Sequence, residues 1–200
     1  APGNRLNASV SHVYNQQWAG VDVGYGKGFD LSVNEYVSQV EDEDLLANGY
    51  DYYLKDEDGT LIYFVETDDG KYIDDTGRGL IMTVGRKTFE IDFAGQYTKW
   101  YGLNIGKKCY FTYIPSYHGR SDEKLYLYRN TTSPYNLYQI VDATNRCLSL
   151  TNNTEGRLLN LNTGSNAIKA SYTYENGFLT GITKDSRTTS FTYTLDGKLA

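Results

Sequence analysis

TYENGFLTGITKDSRTTSFTYTLDGKL, residues 173–199, states one pattern twice. Asn176-Gly177-Phe178-Leu179 returns as Asp196-Gly197-Lys198-Leu199, and Tyr172-Thr173-Tyr174 returns as Phe191-Thr192-Tyr193. Two copies could make one hairpin with a duplicated turn. A third copy upstream decides for an array. Cut every 20 or 21 residues from Leu137, the chain reads LYQIVDATNRCLSLTNNTEGR (137–157), LLNLNTGSNAIKASYTYENGF (158–178) and LTGITKDSRTTSFTYTLDGK (179–198), and Leu199 opens a fourth unit. A fixed period of this kind is the mark of a repeat architecture.

Each unit has the same grammar. A short apolar strand comes first: Ile140-Val141, then Leu159 and Leu161, then Leu179 and Ile182. A polar turn follows, at Asp142–Asn145, Gly164–Asn166 and Lys184–Arg187. A second strand then alternates in period two, with Leu148/Leu150, Tyr172/Tyr174 and Phe191/Tyr193 on one face. A second turn closes the unit on Gly156, Gly177 or Gly197. Asn-Gly and Asp-Gly between alternating strands signal hairpins, because tight turns need positive φ. Stacked units therefore predict a continuous antiparallel meander. One hairpin is marginal in water, so each neighbour supplies the packing of the next.

Residues 97–136 read as a divergent copy. Tyr97–Trp100, a turn at Asn104–Lys107 and Cys109–Tyr113 keep the order, and an insertion at about 115–136 carries its own hairpin, tipped near Gly119–Asp122. Residues 1–96 read as irregular hairpins leading into the repeats. YDYYL (50–54) turns at Asp56–Thr60, with Gly59 at the bend, and returns as LIYFVE (61–66). Further turns are expected at Asp68–Gly70, Asp75–Gly77, Val84–Lys87 and Asp92–Gly95, and an early strand at Ala8–Tyr14. Glu41–Asp44, before LLANG, fits either one helical turn capped by Gly49 or a solvated loop. No linker interrupts the chain, which predicts one continuous β body, irregular over 1–96 and repeat-like over 97–200.

Composition agrees. Tyrosine supplies 20 of 200 residues, against one Met and three Pro. Its apolar ring and polar tip suit a half-wet pleated surface. The formal charge of −6 argues against nucleic acid, which needs a basic stripe. No run of 18 apolar residues predicts a membrane span. The chain begins at Ala1-Pro2-Gly3-Asn4 and ends on Lys198-Leu199-Ala200, which reads as a stretch cut from a longer polypeptide. Cys109 and Cys147 each sit in a strand-like run. They read as two small buried thiols, with a single disulfide as the other option.

GNRLNASVSHVYN (3–15), GYGKGFDLSVNE (24–35), YDYYLKDEDGTLIYF (50–64) and YIDDTGRGLIM (72–82), with the Tyr-x-Tyr-x-x-(Asn/Asp)-Gly-x-Leu tail, resemble the start of the YD-repeat region of bacterial RHS and wall-associated proteins. The resemblance covers almost the whole chain. It implies a large secreted or cell-surface bacterial protein whose repeats form a spiralling β-shell, often around a toxic C-terminal domain. This stretch would be a non-enzymatic piece of the shell wall, and its partners would be neighbouring repeats, an enclosed toxin domain or cell-wall glycan. The Tyr-Asp pair is degenerate here, at Tyr174-Glu175-Asn176 and Tyr193-Thr194-Leu195-Asp196, and the insertion breaks the period. Nothing matches the family's self-cleavage segment, so the resemblance supplies no catalytic residue.

Other chemistry is weak in the sequence. Asp56–Gly59 and Asp74–Gly77 gather carboxylates, but neither supplies the EF-hand spacing or its closing glutamate, and Asp before Gly is ordinary turn chemistry. No carboxylate stands out as a glycosidase acid. His12 and His118, the two histidines, are 106 residues apart and make a poor metal set. No G-x-S-x-G elbow suggests a triad. Gly24-Tyr25-Gly26-Lys27-Gly28 lacks the phosphate-loop spacing and reads as a bend. The rival to a scaffold is a surface carbohydrate-binding module, with Trp18, Trp100 and tyrosines stacking on sugar rings. Neither reading calls for a cofactor or a metal.

Overall fold

A computed structural model describes residues 10–115, 124–133, 135–164 and 167–200. The expected insertion tip at Gly119–Asp122, His118, and residues 165–166 of one turn lie outside these. Two compact units emerge. One is built on Val33–Leu127, and the other combines Ala8–Ser32 with Tyr128–Ala200. The protein is all-β and antiparallel. In chain order the strands are β1 (His12–Tyr14), β2 (Phe29–Leu31), β3 (Tyr36–Gln39), β4 (Tyr50–Lys55), β5 (Leu61–Glu66), β6 (Tyr72–Asp74), β7 (Leu80–Val84), β8 (Phe89–Phe93) and β9 (Tyr97–Ile105). There follow β10 (Lys108–Ile114), β11 (Leu125–Arg129), β12 (Leu137–Asp142), β13 (Cys147–Asn152), β14 (Leu158–Thr163), β15 (Ile168–Glu175), β16 (Phe178–Lys184) and β17 (Arg187–Ser190). The helical turn forms as α1 (Glu43–Ala47), with the Asp42 carboxylate accepting from the amides of Asp44 and Leu45.

In the first unit, strands β3 to β10 pair in sequence order, and β10 then pairs back onto β3. Cys109 faces Asn104 of β9 on one side and Val37 of β3 on the other. Eight strands thus close into a ring, which leaves none of their long edges bare. Alternation decides what fills it. Ile62 and Phe64 of β5, Leu80 and Met82 of β7, Ile91 of β8, Tyr101 of β9 and Cys109 and Phe111 of β10 are all buried. The second half of β10 leaves β3 and pairs with β11, Tyr113 opposite Tyr126.

In the second unit β12 to β17 each pair with the next, and the segments 137–157, 158–178 and 179–198 supply β12/β13, β14/β15 and β16/β17. The strand expected at Phe191 and Tyr193 instead falls at Arg187–Ser190, within and just after the expected turn. The inward residues of the leading strands are spaced three apart, not two. They are Leu137 and Ile140 in β12 and Leu158 and Leu161 in β14. A bulge explains the spacing in β14, where Leu159 is the extra residue opposite the Thr151/Asn152 step, and the same bulge recurs at Thr180 in β16. Leu159 is therefore turned out, 36% exposed, while Leu137, Leu158 and Leu179 are fully buried at equivalent places.

Two chemical classes recur among the turns. Five share one bonding code, in which the first residue's N–H donates to the carbonyl four residues on and its carbonyl accepts from the amide three residues on. They start at Asp56, Thr67, Asp142, Asn153 and Thr194. The fourth residue of each has positive φ: Gly59, Gly70, Asn145, Gly156 and Gly197. This is a three-residue hairpin loop ending in a left-handed residue. Gly177 belongs to the other class. Asn176 and Gly177, both at positive φ, form a two-residue loop between the paired residues Glu175 and Phe178. Asp185-Ser186 makes the same loop without a glycine.

Candidate functional site

The glycine-rich stretch at 24–28 lies within the second unit, beside the turns that end its repeats. Leu158 N donates to Gly24 O, and Lys27 N donates to Gly177 O, both at 2.9 Å. Leu199 N donates to the Tyr14 hydroxyl at 2.9 Å. Arg157 reaches Asp22 at 3.3 Å, and the Lys27 ammonium stands 4.4 Å from the centre of the Phe178 ring. Residues 14–28 thus touch Leu158, Leu179 and Leu199, where three successive units begin, and Phe178 just before Leu179. The glycines are needed for proximity. A Cβ on Gly24 would sit 2.5 Å from Gly156 O, and one on Gly26 would sit 2.8 Å from Leu179 N. The bend expected from the sequence is a clasp across repeats.

The clasp is completed by rings. His12 of β1 packs on Tyr172 (4.9 Å between centres), and Phe29 of β2 packs edge-on to Phe191 (5.2 Å). His12 Nε2 is buried without a hydrogen-bond partner. Desolvation lowers its pKa from 6.5 to about 4, so the ring sits neutral in the packing.

The first unit holds a different kind of site. Lys99 points into the barrel from β9, and its Nζ lies 2.8 Å from both carboxylate oxygens of Glu35, the residue before β3. Tyr101, two residues along β9, donates from its hydroxyl to Glu35 Oε2 at 3.1 Å. The side chains of Lys99 and Glu35 are only 8% and 2% exposed. Phe93 and Phe111 hold their rings 4.7 and 5.4 Å from Nζ, and Phe93 is stacked flat on Tyr97 at 4.8 Å. Burial raises the Glu35 pKa against the pull of Lys99. Burial alone would lower that of Lys99, but the Glu35 charge outweighs it and the net direction is up. Burial and Glu35 push Tyr101 well above its ordinary range. Lys99 also lines a cleft of about 280 Å³ with Asp56, Arg78, Phe93, Gln96 and Tyr97. Arg78 Nη1 donates to Asp56 at 2.8 Å across that cleft.

The residues expected to stack on sugar fall in different units. Trp18, in a 3-10 turn (Gln16–Trp18) capped by Asn15, belongs to the second unit, and Trp100 on β9 belongs to the first. Both are half-buried. Trp100 starts a cross-strand ladder, stacked on Tyr113 at 5.6 Å, which is stacked on Tyr126 at 5.8 Å. Near-parallel rings at that spacing are offset rather than overlapped, so Tyr113 has a ring neighbour on each side along the sheet. The carboxylates of Asp56 and Asp74 are occupied by their turns. Asp56 accepts from Glu57 N, and Asp74 accepts from Arg78 N and Leu80 N. Among the described residues no three His, Cys, Asp or Glu side chains converge as a metal set would. Cys109 and Cys147 are free thiols, and burial pushes that of Cys109 up to about 11. No helix among the described residues is long and apolar enough to cross a membrane.

Sequence reasoning missed the Glu35–Lys99–Tyr101 cluster. Its signal was parity, since Lys99 shares a strand face with Tyr97 and Tyr101 and so points inward with them. No protein-family model matches the chain, and no curated protein matches it.

Proposed function

We propose that this chain is a non-catalytic structural segment of a secreted or cell-surface bacterial protein of the YD-repeat kind, contributing wall to an encapsulating shell. The observation that carries this reading is the repeat meander. Leu137, Leu158 and Leu179 recur at one buried position, and the meander runs out to β17, whose four residues are exposed. The strand opened by Leu199 starts along the same side. Tyr193 bridges Leu199, and Ala200 N donates to Thr192 O. A further repeat would continue along the outer edge of β17, which no strand covers among the described residues. The role is mechanical: each unit templates the next and closes off its predecessor's edge. A sugar platform built on Trp18 and Trp100 would need both rings on one face, and the two belong to different units.

The test is to append a copy of 160–178 after Ala200, so that Leu199-Ala200 takes the place of Leu158-Leu159, and to compare thermal unfolding with the parent chain. A repeat wall predicts a higher Tm, because the new unit buries β17. An appended unit that leaves Tm unchanged and stays unstructured by circular dichroism contradicts the reading.

A further inference from the structure

The Lys99–Glu35 contact is an unusual way to fill a barrel. Two ionised side chains, each more than nine-tenths buried, stand where an apolar pair would serve stability as well or better. Their geometry suits a reaction. Nζ at 2.8 Å from both Oε1 and Oε2 holds the nitrogen about 3 Å from the carboxyl carbon, within reacting distance once the amine swings out of the carboxylate plane. Phe93, Tyr97 and Phe111 wall the pair with rings. The Tyr101 hydroxyl is set on Oε2, where negative charge would develop.

We propose that Lys99 and Glu35 condense after folding into an intramolecular amide, a covalent tie between β9 and the entry to β3. The atoms balance without any oxidant or co-reactant. One ammonium proton passes to Oε1, giving a neutral amine and a neutral acid. The amine lone pair attacks Cδ and the C–N bond forms, with the tetrahedral oxyanion on Oε2 held by the Tyr101 hydroxyl. A second proton from nitrogen reaches the Oε1 hydroxyl, the C–O bond breaks, and Oε1 leaves as water. Nitrogen keeps its third hydrogen, and Oε2 becomes the amide oxygen. In bulk water the ionised pair is favoured. Inside the barrel that pair bears the desolvation of two charges, and the amide bears none. The fold has already supplied the proximity, and the cleft that Lys99 lines gives the water a way out.

The experiment is intact-mass spectrometry on the purified, denatured full chain, followed by peptide mapping. The expected mass is one water below the sequence mass, with Glu35 and Lys99 recovered in one branched peptide. The Lys99→Arg variant is expected at its full sequence mass. Wild-type protein at its full sequence mass overturns the proposal. So does a water loss that maps to Asp58-Gly59, Asp69-Gly70 or Asp196-Gly197, since Asp-Gly pairs lose water by ring closure on their own backbone. The wild-type measurement decides even if the variant fails to fold.

Discussion

The two units solve the same problem, the bare edges of a sheet, in opposite ways. The barrel joins its last strand to its first, so β10 bonds β9 on one side and β3 on the other. The repeats postpone the problem, as each hairpin covers the edge before it and leaves its own, down to β17. The interiors differ accordingly. The repeat unit carries one leucine column, the same residue at the same place each time. The barrel interior is heterogeneous and has room for a buried charge pair and a tyrosine. A periodic solution needs only local rules repeated. A closed one needs contacts between residues far apart, such as Val37 with Cys109.

The largest effect that separates the two should come from Lys99. Replacing it with Ala strands the Glu35 charge in the barrel and should cost about 3–5 kcal/mol by denaturant unfolding. The double change Glu35→Leu, Lys99→Met should recover the part of that loss that comes from the unpaired charge, and not the part that comes from a covalent tie. If the single variant is as stable as wild type, the cluster is not the buried pair described. The repeat column should respond more evenly. Leu158→Ala and Leu179→Ala should each cost about 2–4 kcal/mol, and Leu159→Ala less than about 0.5, since it is turned outward by the bulge. Unequal costs at 158 and 179 would break the claim that the repeats are equivalent.

Much of the repeat unit was legible from single residues. Asn176-Gly177 and Asp196-Gly197 named their turns because positive φ selects those residues, and the alternation of Tyr172 and Tyr174 set their strand. What escaped was non-local or irregular. Period two put Leu159 inside; the bulge turns it out and brings Leu158 in. Ring closure has no local signature, because the β3–β10 register depends on strands about 70 residues apart. The clasp escaped for the same reason. Three glycines in five residues announced a bend, but not that Gly156 and Leu179 would occupy the space their side chains leave.

Acid should act first on the repeat unit, through His12. Its folded pKa, about 4, lies below the unfolded 6.5, so the unfolded chain binds the proton more tightly. The stability is present above pH 6.5 and lost progressively as pH falls toward 4, about 3 kcal/mol in all. A Tm series from pH 7 to 4 should show this slope, and His12→Phe should flatten it. A smaller loss follows lower still. Asp142, at the turn after β12, accepts from Thr144 and Arg146, which together hold its pKa near 2 despite its burial. Its contribution is present above 3.8 and disappears as pH drops toward 2, about 1–2 kcal/mol after screening. Asp142→Asn should remove that low-pH step. The smallest change is a gain. Ser186 holds φ +62° in a two-residue loop, and Ser186→Gly should stabilise the chain by about 0.5–1 kcal/mol, read as a rise in Tm.

The contrast between a closed barrel and an open repeat sheet is tested most directly by native-state hydrogen exchange resolved strand by strand. The account predicts one shared, high protection for the amides of β3 to β10, including the β3–β10 seam. Across β12 to β17 it predicts a decline, with Arg187–Ser190 exchanging fastest among the repeat strands. A fast seam between β3 and β10, or a β17 as protected as β14, would contradict it.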